Sequence, residues 1–584
     1  MIQPRPGTIA VRAVNQYRRR DIFVYFGLRY YLENTATRSD GWARRIASDL
    51  VKTRPSFLCY RKAHHYKELD EHGNPKHRPM GIPGANEALA EAALLAECSK
   101  HPKHFGPLSC VFSYILATKN SRDGIFEPYI RGLCLRQDAV SRACVLNPRG
   151  LVQYLDIQKF YPSISIEMAI TAWNKHSQAA NLDPEFNALG VKMIKDHQQA
   201  EIPGEEGIVT GPMFSHFLGN LVLRDLDVRL ASDLPVRYFR YVDDMILVGG
   251  KGAVEAATKH IIDQLQKLGF RVHGAGSEKW MQVPTEKWLD SKDDYHSSNR
   301  NPSWKTLIGD LRTFLLLNPT MRGRLRDEFR AEQFRLPIPD YSGSVREVSY
   351  LNRLIELAKK YRSWYSRTKS GVTLTSLLTD ARSLRAQYEE EFPQKFAEAL
   401  QAVGYDKKRI LPKLRYLAGK LIYLGRESYL RSCYAEAIDY PELHLHGRVM
   451  EALVTRQLDK LLPMGFNVAQ AAAQPLAAVG GTVTIGSQPL GEAATQSLAV
   501  LCLNGVQISD LNETENADPD LIKFSCHGSN LALMNSSDPS LRELACLHGL
   551  SRTPRHQQML YTAFDGDEEI AFDAIDQLMN YQSL

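Results

Sequence analysis

RYVDDMILVGG, residues 240–250, sets two adjacent acids, Asp243 and Asp244, between two short apolar runs. Two β-prone runs joined in this way read as a hairpin, with both carboxylates at its tip. Adjacent carboxylates repel, so the arrangement is unfavourable unless water solvates both or a cation neutralises them. A divalent metal is the natural remedy. A solvated turn is the simpler alternative, and the motif alone does not decide between them.

Upstream, GLVQYLDIQKFYPSIS, residues 150–165, runs an apolar strand straight into Asp156 and then into a turn at Pro162. An acid at a strand end can approach the tip of a neighbouring hairpin and supply a third carboxylate for two metal ions. Ser165 is placed to cap a helix beginning IEMAITAWNKH, with Glu167 in its first turn. Between the two acidic segments lies EEGIVTGPMFSHFLGNLVLRDLD, residues 205–227. Here Gly207 and Gly211 permit close backbone approach at the start of an apolar helix, and Ser215 and Asn220 offer polar contacts. Each segment has a bland reading by itself, a strand end in one case and a helix start in the other.

In this order, the three segments resemble motifs A, B and C of reverse transcriptases, a likeness covering roughly residues 50–300. It implies an α+β fold: right-hand polymerase fingers and palm, with an antiparallel palm sheet carrying the YVDD hairpin, followed by a mainly α-helical C-terminal region. It implies an RNA-directed DNA polymerase in which Asp156, Asp243 and Asp244 hold two Mg²⁺ ions, with Mn²⁺ as an alternative. Asp156 and Asp243 are then the principal ligands and Asp244 the supporting one. Tyr161, five positions after Asp156, matches the family's aromatic gate against a ribose 2′-hydroxyl. Gly211 and Ser215 fall in the nucleotide-contacting turn. Arg78, in HGNPKHRPMGIPGANEALAEAALL, is the candidate contact to the triphosphate, with Lys76 and Arg61 behind it. Lys279, in LQKLGFRVHGAGSEKW, matches the lysine that protonates leaving pyrophosphate. The chain departs from the pattern at Val209 and Thr210, where intron-type relatives carry Pro and Gln. It departs again in VFSYILA, residues 111–117, where Ile115 stands in place of a fingers arginine.

No downstream NAxxH segment of the retron kind is found, nor a Cys/His-bearing endonuclease region like that of intron maturases. A long helical extension and a GxxxGPxxS motif B resemble the bacterial defence-associated reverse transcriptases, the abortive-infection and unknown-group enzymes. The partners implied are an RNA template or associated non-coding RNA, a DNA product and dNTPs, together with a second copy of the chain or another defence protein. Two other readings stay open. One is a mobile-element enzyme of the group II intron kind, and the other an RNA-binding scaffold on a non-catalytic polymerase fold.

The 584-residue chain as a whole is compositionally ordinary, with 44% hydrophobic and 24% charged residues and a net charge of +6. These values fit a globular protein and argue against wholesale disorder. No membrane span or apolar leader is evident, so a cytoplasmic protein is expected. Nine cysteines contain no CxxC pair and read as reduced core residues. The expected organisation is an N-terminal helical segment (1–50), fingers and palm (51–300), thumb-like helices (301–345), a helical domain (346–460) and a region of uncertain fold (461–584). Lys305, Arg312, Arg322 and Arg324, with Arg326, Arg330 and Arg335, lie on an expected helix pair able to grip a nucleic-acid backbone. Interspersed Asp310, Asp327 and Glu328 allow a solvated face instead. Leu351, Leu354 and Leu357, then Leu414, Leu417, Leu421 and Leu424, read as helix–helix core stripes. AQAAAQPLAAVGGTVTIGSQPLGEAATQ, poor in charge, reads as a loop-rich insertion or linker.

Overall fold

Strands that are largely apolar, such as LVQYL and MILV, need cover on both faces, and the chain gives it to them. The computed structural model describes residues 8–17, 20–33, 40–52, 60–117, 124–198, 200, 206–291, 302–338, 371–486, 490–510, 519–528 and 530–550. The described residues fall into two compact units. The first draws on Met1–Ala63, Pro79–His296 and Leu531–Arg552, and the second on His64–Arg78, Ser297–Asn530 and Thr553–Leu584.

A hairpin of β1 (Tyr60–Leu69) and β2 (Pro75–Pro83) forms a two-stranded sheet. The first unit is built on a four-stranded sheet of β3 (Leu151–Asp156), β4 (Arg237–Tyr241), β5 (Asp244–Gly249) and β6 (Met281–Pro284), ordered β4-β5-β3-β6. All three pairings are antiparallel, and β3 and β5 register so that Asp156 lies opposite Asp244. Val152, Leu155, Ile246, Leu247 and Val248 are all buried in these central strands. Buried Gln153 is satisfied by Met281 O and by the Gln282 amide, as a polar group inside a sheet requires.

Seven helices of this unit matter below: α1 (Thr8–Tyr17), α2 (Ile22–Glu33), α3 (Ala85–Cys98), α4 (Tyr129–Leu146), α5 (Ile166–Ala179), α6 (Met213–Asp233) and α7 (Lys251–Lys267). Ser165 caps α5 as expected, its hydroxyl accepting from Met168 N at 3.1 Å. Buried Glu91 on α3 accepts from the Tyr17 hydroxyl at 2.6 Å and from Met213 N at 3.2 Å, so it caps the start of α6.

The second unit is mainly helical: α8 (Trp304–Leu317), α9 (Arg322–Ala331), α10 (Leu374–Gln401), α11 (Gly404–Leu424), α12 (Glu427–Asp439), α13 (His444–Thr455), α14 (Phe466–Val479) and α15 (Glu492–Leu503). Leu414, Leu417, Leu421 and Leu424 are buried on α11. Leu351, Leu354 and Leu357 lie outside the described residues. The expected loop at 469–496 is instead largely helix. Val468 to Leu476 on α14 are all buried, Pro475 included, and so is most of α15. A helix enclosed on every side needs no polar face, so small apolar residues without amphipathic period suit it. The last described helix, α16 (Pro539–Leu550), belongs with the first unit. Among the described residues no helix is long and apolar enough to cross a membrane. The architecture is thus α+β, an antiparallel palm-type sheet bearing the YVDD hairpin followed by a mainly helical region.

Candidate metal centre

Antiparallel pairing of β3 with β5 brings the three acids together. Asp156 ends β3, Asp244 begins β5 directly across from it, and Asp243 occupies the intervening turn, where its carbonyl accepts from Ile157 N at 3.2 Å. One oxygen from each carboxylate lies within 4.8 Å of the others, and no other such group of ligating side chains occurs among the described residues.

The turn is held open by force from behind. Val242 takes φ +57°, the left-handed region that a β-branched residue avoids. Its N–H donates to Ser113 Oγ at 2.9 Å, and its carbonyl accepts from Arg240 at 2.8 Å. Arg240 is fully buried and held by both oxygens of buried Asp227, at 2.9 and 2.6 Å. The Tyr238 hydroxyl donates to the same Asp227 at 2.8 Å, and Asn220 bonds both Arg240 and Ser113 O. Asn220 therefore braces the hairpin from inside.

Charge at the tip is poorly compensated. Burial, then Asp244 and Asp156, push the Asp243 carboxyl up to about 7. Burial also raises Asp156, against the pull of Lys279. Lys279 Nζ sits 2.8 Å from Asp156 Oδ1, and His273 Nε2 sits 3.2 Å from the same atom. The Tyr154 hydroxyl donates to Asp244, and Arg136 lies 3.7 Å from Asp244 while stacking over Tyr241. Three clustered hard oxygen donors with their charge unbalanced fit Mg²⁺ or Mn²⁺.

The motif B turn needs its glycines. A Cβ at Gly211, where φ is +128°, would lie 2.5 Å from Gly81 O, and one at Gly207 would lie 2.4 Å from Ile164 O. Ser215 is 0% exposed, with its hydroxyl unpartnered among the described residues. Tyr161 is held at its hydroxyl by His216 Nδ1, at 2.6 Å.

Arg61 departs from expectation. It is buried, ion-paired with Asp21 and 3.6 Å from Asp538, and so belongs to the scaffold. Lys76 is exposed, 3.2 Å from Glu68. Arg78 is half-buried on β2 and falls in the second unit. On the expected helix pair, Lys305 and Arg324 are exposed, while Arg312 and Arg322 are half-buried, Arg322 donating to Ile338 O at 3.0 Å. Arg335 is buried and donates to Ile422 O and Gly425 O, which removes it from any phosphate-gripping face. Sequence reading missed Ser113, Tyr114, Arg136, Tyr154 and His273, none of which carries a local signal.

No protein-family model matches the chain, and no curated protein does. Solved structures that resemble it include two telomerases. One is apo telomerase from Candida tropicalis, 12% identical, aligned over 44% of this chain and 52% of that one, with a TM-score of 0.29. The other is telomerase from Candida albicans in complex with a TWJ fragment of telomeric RNA, 13% identical, aligned over 67% of this chain and 68% of that one, with a TM-score of 0.28. The aligned region thus spans about half the length of the first of these. Overall likeness is low in both, and the geometry of the carboxylate site stands apart from it.

Proposed function

We propose that the chain is an RNA-directed DNA polymerase whose Asp156, Asp243 and Asp244 hold two divalent ions, and that it acts in antiphage defence. One observation carries the catalytic reading: three carboxylates, two of them desolvated, meet at the end of an antiparallel sheet. Such an arrangement destabilises the fold unless cations join it. Two divalent ions there supply activation of a primer 3′-hydroxyl and neutralisation of the charge that develops on the α-phosphate and leaving pyrophosphate. Asp156 at the end of β3 and Asp243 in the turn before β5 fix the spacing of the reacting groups. Lys279, beside Asp156, is near enough to the centre to give a proton to the leaving pyrophosphate. The ring of Tyr161 excludes a ribose 2′-hydroxyl and so favours deoxynucleotides. RNA as template and the defence role draw support from the sequence resemblance, above all the GxxxGPxxS form of motif B and the helical extension.

The test compares purified wild type with Asp243→Asn, measuring deoxynucleotide incorporation with Mg²⁺ and sequencing both the copurifying nucleic acid and the DNA made. Wild type should incorporate, and the variant should lose roughly 10³-fold or more. Equal incorporation by the two would refute the catalytic assignment and leave the scaffold reading in its place.

A further inference from the structure

A bare phenyl ring at position 161 would suffice to collide with a 2′-hydroxyl, yet the chain spends a buried hydrogen-bond network on the tyrosine oxygen. Arg20 lies 3.0 Å from His216 Nε2 and 3.0 Å from Gly211 O. A guanidinium can only donate, so Nε2 accepts. His216 is buried, and burial together with Arg20 holds its imidazole well below the usual histidine range, in the neutral form. Its one ring proton therefore sits on Nδ1, 2.6 Å from the Tyr161 hydroxyl, and is donated to it. The order of donation runs from Arg20 to His216 and from His216 to Tyr161.

Packing leaves the members little freedom. The Tyr114 ring stacks on His216 with centroids 4.2 Å apart and planes 5° from parallel, so the imidazole cannot turn. Tyr114 itself takes φ +48°, a conformation costly for a non-glycine residue and maintained only where surroundings demand it. Tyr161 also meets α6 at Gly219, where a Cβ would stand 3.4 Å from the Tyr161 ring and 2.9 Å from Phe160. Ring, handle and backing wall are all specified.

Resting on the polymerase reading above, we propose that His216 is a positioning residue: fixed in one tautomer by Arg20 and clamped by Tyr114, it sets how strictly Tyr161 rejects ribonucleotides. A gate tethered at its hydroxyl keeps one rotamer. An untethered one samples others and admits the larger sugar.

The measurement is the ratio of catalytic efficiencies for a deoxynucleotide and its matching ribonucleotide, with Mg²⁺ and full-length protein. His216→Ala and Tyr161→Phe should each lower the ratio about five- to tenfold, the worth of one buried hydrogen bond. Tyr161→Phe keeps the ring volume, so it stands even where His216→Ala folds poorly. The double variant should fall no further than either single, because both cut the same bond. His216→Asn, whose amide N–H replaces Nδ1–H, should recover most of the ratio. An unchanged ratio in His216→Ala and Tyr161→Phe, alongside a collapsed one in Tyr161→Ala, would overturn the positioning role and leave the gate standing. An unchanged ratio in Tyr161→Ala would remove the gate and this inference with it. Absence of incorporation by wild type would remove the polymerase reading and everything built on it.

Discussion

The base and the tip of the β4–β5 hairpin treat buried charge in opposite ways. At the base, Arg240 and Asp227 saturate each other, with Tyr238 and Asn220 completing the set. At the tip, a few residues along, Asp243 is desolvated among like charges and its carboxyl rises to about 7. A fully partnered ion pair braces the scaffold, whereas an unbalanced cluster on that scaffold marks where an external cation belongs.

Substitutions at the two ends should fail in different ways. The largest effect is the loss of incorporation in Asp243→Asn already described, and the same variant should melt no lower than wild type in metal-free buffer, since it relieves repulsion. Added Mg²⁺ should raise the wild-type melting temperature and leave that of Asp243→Asn nearly still. Arg240→Met should do the reverse, costing roughly 3–5 kcal/mol of stability by stranding Asp227 without its partner. Chemical denaturation of the first unit's cooperative transition measures it.

Glu91 sharpens the contrast, being a buried acid whose bonds to Tyr17 and Met213 do not offset its desolvation, so its carboxyl rises from 4.5 to about 7. The folded form keeps a proton that the unfolded chain releases between those values, so its contribution to stability falls as pH rises through that window. Glu91→Gln should therefore reduce the stability lost between pH 5 and pH 8 by roughly 2–3 kcal/mol, read from melting curves at the two pH values. The smallest effect is expected at exposed Arg324. Arg324→Ala should leave the melting temperature alone and reduce the salt dependence of nucleic-acid binding by about one unit of log–log slope, if the helix pair grips phosphates.

The acids were readable because each sits in a local signal, a strand running into Asp156 and two strands meeting at Asp243 and Asp244. Ser165, Gly207 and Gly211 were readable for the same reason. His273, Arg136 and Arg20 reach their partners across long stretches of chain, and nothing near them in sequence distinguishes them from surface residues. The burial of Ser215 and Arg61 was not readable, because a motif specifies a position without saying which way its side chain turns once packed. The helices from Phe466 to Leu503 read as loop because a wholly enclosed helix loses the polar stripe that betrays an amphipathic one. Pro475 and the glycines of GGTVTIG reinforced that impression.

Glu543 on α16 accepts from Ala85 N at 2.5 Å and from Asn86 N at 3.1 Å, closing the open end of α3, while Asp538 stands 3.6 Å from Arg61. The same α3 bears Glu91, on which α6 begins. Glu543 follows Ala85 by 458 residues, so a ribosome must deliver all of these before that helix receives its cap. Translation order becomes a timer: the unit holding the carboxylates is finished only after the helical region between has been made, so a product terminated before Glu543 carries the acids on an unlatched frame.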